Sequence, residues 1–156
     1  MMSYQNLQTG VLTTATPPMF LMINAVVWNI RGLNRRDHHA AVSDVISEFN
    51  LHFIGLLETR VSAHNVTCVQ SFLSHYWKWF VDYMGPGTRI WLAWKHDEVD
   101  VEILSVHTQI VHFRILIRRL HEHILVSVVC GPNDVYERRE LWRSLVQLAD
   151  CISDEP

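Results

Sequence analysis

No stretch of this sequence approaches the roughly 20 consecutive apolar residues a membrane-crossing helix needs, so no membrane partner is expected. Cysteine is scarce: Cys68, Cys130 and Cys151 stand far apart, and no Cys-x-x-Cys pair exists. That argues against a zinc knuckle and for a reducing, intracellular setting, cytoplasm or nucleus. Positive charge is not in excess either. Lys and Arg number 13 against 16 Asp and Glu, and the net charge of -3 excludes a generally basic nucleic-acid glove while leaving room for a local basic rim. The ten histidines lack HExxH-type spacing and read as surface and turn residues. Residues 1–21 lack the basic start and long apolar core of a signal peptide. Their Thr, Gln and Pro content leads us to expect a disordered leader. Nothing repeats at a fixed period.

What the chain does have is apolar patterning. With 49% apolar and 19% charged residues over 156 positions, one globular domain is expected over residues 22–156. Residues 22–28 form a nearly continuous apolar run, as in a strand covered on both faces. Asp37 is placed to cap a helix. Ala41, Val45, Ile46 and Phe49 then recur at helical spacing. A second apolar run covers residues 53–57 and ends on Glu58-Thr59-Arg60. Strand, helix and strand in about 35 residues is the span of one βαβ crossover with parallel strands. A short helix is expected over 63–74. Strands are expected over 77–82, 89–95, 99–106, 109–117 and 124–130, with a turn at Gly85-Pro86-Gly87. Asp134 and Glu137 make a capping-box-like start to a last helix carrying Leu141, Leu145 and Leu148. The expected fold class is α/β, a sandwich with a mixed sheet.

In a βαβ unit both parallel strands end on one edge of the sheet, where ligands of α/β folds gather. Asn29 and Glu58 are the first polar residues past their apolar runs. If the strand over 124–130 runs the same way, Asn133 joins them. Two readings stand side by side. In one, Asn29 and Asn133 make turns and Glu58 caps a helix. In the other, two amides and a carboxylate form a hard, oxygen-rich corner suited to Mg²⁺ or Mn²⁺.

The segments "WNIRGLN", "LLETR" and "CGPN…RRELW", in that order, resemble the endonuclease/exonuclease/phosphatase superfamily. More narrowly they are similar to the apurinic-like endonuclease domain of LINE-type non-LTR retrotransposons, especially those of plants, as is "GTRIWLAWK…VDVEILSVHTQIVHFRI". The resemblance covers about residues 23–149. It implies an endonuclease/exonuclease/phosphatase-type α/β sandwich with mixed sheets flanked by helices. It also implies a divalent-metal-dependent hydrolysis of DNA phosphodiesters, with Asn29 and Glu58 holding Mg²⁺ (or Mn²⁺) and Asn133 contacting the phosphate. Arg31, Arg35 and Arg36, just past the first strand, are positioned to touch the DNA backbone or else line a solvated loop.

Two departures matter. Cys130 stands where the family usually has Tyr, and a thiol is a poorer hydrogen-bond donor than a phenol. The family's later Gly-Asp-Phe-Asn and Ser-Asp-His motifs do not occur in these 156 residues. We therefore expect the N-terminal portion of such a domain, truncated before the second half of its active site and inactive by itself. Two alternatives are a non-catalytic relic with residual metal or nucleic-acid binding and, less in keeping with the retrotransposon-like middle stretch, a small-phosphate phosphatase. A half-domain also predicts an uncovered sheet face through which copies self-associate, with Trp28, Trp91 and Trp94 incompletely buried.

Overall fold

The structure, a computed structural model, describes residues 7–11, 23–83, 88–131 and 134–153. In chain order the elements are Leu7–Val11 (β1), Asn24–Asn29 (β2), Arg36–Glu48 (α1), Phe53–Val61 (β3), a 3-10 turn Ala63–Asn65, Val66–Gln70 (α2), Trp77–Val81 (β4), Thr88–Lys95 (β5), Val99–His107 (β6), Ile110–Ile117 (β7), Glu122–Val129 (β8) and Val135–Ser153 (α3). One sheet has the order β1-β2-β3-β5-β4 and the other β6-β7-β8.

The βαβ unit forms as its patterning requires: β2 and β3 pair in parallel, Val26 opposite Ile54 and Asn29 opposite Leu57. β1 lies inside the segment expected to be a disordered leader. Its five residues pair antiparallel with β2, Leu7 opposite Trp28, because an unpaired strand edge is a template for any extended segment in reach. The rest of that segment lies outside the described residues, as does Gly85-Pro86-Gly87.

Asp37 does not cap α1. The helix begins one residue before it, with Arg35 at the N-cap and no side-chain cap. Asp37 instead sits in the first turn, where its carboxylate takes two bonds from Arg35 (2.6 and 3.0 Å). A carboxylate at a helix N-terminus also favours the helix dipole. At α3 the cap does form: Asp134 Oδ1 accepts from the Tyr136 N–H at 2.8 Å.

Strand alternation separates two cores. From β5, Trp91 and Ala93 face α1 and α2, joining Val26, Ile54, Leu56, Val42, Val45 and Val69. Ile90, Leu92 and Trp94 face the second sheet, joining Phe53, Val111, Phe113, Ile115 and Val128. Phe53 and Phe113 stack across this layer at 5.3 Å. The expectation of an uncovered first sheet is therefore corrected. Helices cover one face and β6, β7 and β8 cover the other, because the second sheet is built from strands this chain contains. Trp91 and Trp94 are buried, at 0% and 6% exposure, and only Trp28 is partly exposed among the three proposed reporters. Large apolar side chains that remain open cluster on α3, with Trp142 65% exposed. No helix among the described residues is long and apolar enough to cross a membrane.

Candidate metal-binding corner

The candidate site begins where the chain runs on beside β3 past the end of β2. Past Asn29, the Ile30 N–H donates to Leu57 O (3.1 Å), Gly32 N–H to Glu58 O (2.8 Å) and Leu33 N–H to Thr59 O (2.8 Å). This continuation needs left-handed backbone on both sides: φ is +51° at Arg31, +114° at Gly32, and +52° at both Glu58 and Arg60. At +114° only glycine is comfortable, which explains Gly32. Non-glycine residues held at positive φ cost about 1–3 kcal/mol each and persist only where their surroundings over-determine them.

The surroundings do so here. The His38 Nδ1–H donates to the Gly32 carbonyl and His39 Nε2–H to the Leu33 carbonyl (2.7 Å). Asn34 Nδ2 donates to the Arg60 carbonyl (3.0 Å), and Asn34 Oδ1 accepts from Asn65 Nδ2 (3.0 Å). His39 in turn stacks on Phe72 at 4.7 Å. Leu33 is fully buried. Gly32, Leu33 and Asn34 of the "WNIRGLN" segment are thus engaged in holding the loop.

Asn29 is not. Its Nδ2 donates to Glu58 Oε1 at 3.1 Å, while its Oδ1 is buried with no hydrogen-bond partner among the described residues. Glu58 Oε2 pairs with Arg60 Nη2 at 2.9 Å, the Glu58 side chain being 24% exposed and the Arg60 side chain 68%. Asn29 and Glu58 therefore meet as their strand-end positions predict.

Cys130 closes the third side. It is buried, and burial pushes its thiol pKa up, with the Glu58 carboxylate adding to the shift. A hydrogen bond from the Glu58 backbone and the charge of Arg89 act the other way. The strand leading to Cys130 hence ends at the same edge as β3. Val128 confirms the direction: a Cβ on Gly55 would sit 3.6 Å from its Cγ2. Asn133 lies outside the described residues. Asp82, buried at the end of β4, also reaches Cys130 with its charge. It and Arg60 were not singled out from sequence. Asp82 does carry the signal that marks Asn29 and Glu58, a polar residue directly after an apolar strand.

The arginines divide. Arg35 is committed to Asp37, and this guanidinium holds the Asp37 carboxyl below its ordinary value. Arg31 and Arg36 are exposed and have no ion-pair partner among the described residues. No group of three or more His, Cys, Asp or Glu side chains able to hold a metal occurs among the described residues. The donors here are an amide oxygen and a single carboxylate. A buried amide oxygen with no hydrogen-bond partner, fixed beside a carboxylate, fits a hard divalent cation that keeps most of its waters.

No protein-family profile and no curated protein sequence matches this chain. Among solved structures it is similar to the human Nocturnin catalytic domain with bound sulfate anion, with TM-score 0.52 and 9% identity over 82% of this chain and 60% of that one. The chain thus has a mixed α/β fold of the endonuclease/exonuclease/phosphatase type, two sheets flanked by helices. It spans 60% of the length of the domain it matches.

Proposed function

We propose that residues 22–156 belong to a divalent-metal-dependent phosphodiesterase domain, and that the bond it serves to hydrolyse is a DNA phosphodiester, as in the endonucleases of non-LTR retrotransposons. The observation that carries this is the Asn29–Glu58 pair, with its buried, unpartnered amide oxygen. The fold and the order of the three motifs agree with it. Asn29 Oδ1 and Glu58 would hold Mg²⁺ or Mn²⁺. Bound there, the cation would supply positive charge to a phosphate oxygen. Arg31 and Arg36 face solvent just beyond the corner and would meet the phosphate backbone. Asn133 would contact the scissile phosphate. A reducing compartment, cytoplasm or nucleus, suits the free thiols of Cys68 and Cys130.

A second reading has its own support. Among the described residues, one carboxylate and one amide meet at the corner, and Cys130 stands where the family has a phenol, a weak donor that its surroundings keep protonated. Among the described residues we assign no group to activate a water or protonate a leaving oxygen, assistance that is typically worth about 10²- to 10⁴-fold. On this reading the chain by itself is a binding module that retains metal and DNA affinity without turnover. A plasmid-nicking assay with Mg²⁺ separates the two, run on this chain and on one extended through Gly-Asp-Phe-Asn and Ser-Asp-His motifs. Nicking by the extended chain alone, lost in Glu58→Gln, supports the phosphodiesterase proposal. Silence from both, with metal binding intact, supports the binding module.

A further inference from the structure

We propose that Arg60 competes with the divalent cation for Glu58 and thereby sets the cation affinity of the corner. The inference rests on the metal reading of that corner. Both Glu58 oxygens are engaged within the protein: Oε1 by the Asn29 amide at 3.1 Å and Oε2 by the Arg60 guanidinium at 2.9 Å. The two engagements are not alike. The Asn29 bond fixes the amide with its oxygen unpartnered, which leaves that oxygen for a cation. The Arg60 bond places a full positive charge on the carboxylate oxygen that a cation would use.

The backbone makes this contact deliberate rather than incidental. A pairing irregularity between Leu57 and Val61 and left-handed φ at both Glu58 and Arg60 bring the two side chains together, with Thr59 turned into the interior between them. Asn34 fixes the Arg60 carbonyl, so the position of the arginine's backbone does not depend on its ion pair. The Arg60 side chain is 68% exposed, and its guanidinium can leave for water. Exposed ion pairs are weak, so displacement is accessible, and the competition is a modest one. Arg60 is accordingly a positioning residue. It keeps the carboxylate neutralised and oriented, and it yields to a doubly charged cation.

The test is a calorimetric Mn²⁺ titration of the full chain and of Arg60→Gly, Arg60→Lys and Glu58→Gln. Glycine accepts φ near +52° without strain, so Arg60→Gly should fold, and Arg60→Gln serves if it does not. Removing the guanidinium should tighten Mn²⁺ binding on the order of two- to fivefold, the equivalent of one partly exposed ion pair. Arg60→Lys, which keeps the charge, should stay near the parent value. A parent chain that binds Mn²⁺ only through Glu58, with Arg60→Gly no tighter, would overturn the Arg60 proposal and leave the metal corner standing. No Glu58-dependent binding in the parent or in Arg60→Gly would overturn both. Binding that appears only in Arg60→Gly would support the competition.

Discussion

The Asn29 amide presents its nitrogen to Glu58 at 3.1 Å and buries its oxygen without a hydrogen-bond partner among the described residues. The carboxylate dictates this orientation, since the flipped amide would set two acceptors against each other. A buried acceptor left unsatisfied costs about 1–3 kcal/mol, comparable to what the charge-assisted bond to Glu58 returns. By this reckoning Asn29 contributes little net stability.

Asn34, five positions on, is the internal comparison. Both ends of its amide are used, by the Arg60 carbonyl and by Asn65. Asn34→Ala should destabilise the fold by about 1 kcal/mol, as for neutral hydrogen bonds lost at an accessible site, and Asn29→Ala by less. Urea unfolding of both variants checks the order. A larger loss at Asn29 would mean that its amide is a structural clamp.

The second prediction concerns pH. Burial, and then the nearby Lys95 charge, hold the His52 pKa below its ordinary 6.5. Its Nδ1 accepts the Asn24 N–H at 3.1 Å and so must stay unprotonated for that bond to persist. With the folded pKa depressed, the unfolded chain takes up the proton first as pH falls. Stability present above about pH 6.5 should thus decline as pH drops through that value, and the loss should be complete below the folded pKa. Thermal melts between pH 5 and 8 should show a shallower decline in His52→Gln. An identical slope in both proteins would contradict this.

Thiol reactivity gives the third. Cys68 is exposed, whereas Cys130 is buried and kept protonated by burial and by Glu58. Thiolate is the reactive form. Iodoacetamide should modify Cys68 at least about tenfold faster than Cys130 in the folded chain, and the two should equalise in denaturant. Peptide mass mapping resolves the sites. Fast modification of Cys130 would mean that the corner is more open than its geometry.

The fourth tests the close approach of the sheets. A Cβ on Gly55 would meet Val27 Cγ2 at 3.3 Å and Val128 Cγ2 at 3.6 Å. Gly55→Val should destabilise the fold by about 1–3 kcal/mol through overpacking, and adding Val128→Ala should restore part of that. Simple additivity of the two losses would show that Gly55 does not set the sheet spacing.

Much of this was readable in the sequence, and the limits were physical ones. Continuous apolar runs located β2, β3 and β8 because strands buried on both faces have no polar phase. The same logic placed Asn29 and Glu58 on one edge, which needed only the parallel pairing of the crossover. Asp37 was misplaced because a helix start fixed by periodicity carries an error of a residue or so. The covering of the first sheet was missed because the half-domain reading held the second sheet to be largely absent. Nothing in strand alternation says which sheet a strand joins. Arg60 escaped notice because its proximity to Glu58 depends on left-handed backbone at non-glycine residues, for which sequence gives no signal.

The account turns on whether the buried amide oxygen and the carboxylate bind one cation. An EPR-monitored Mn²⁺ titration of the parent chain, Asn29→Leu and Glu58→Gln decides it. The account predicts a single site in the parent, displaced by excess Mg²⁺ and lost or strongly weakened in each variant, with all three proteins folded. Mn²⁺ binding of equal strength in all three would contradict it.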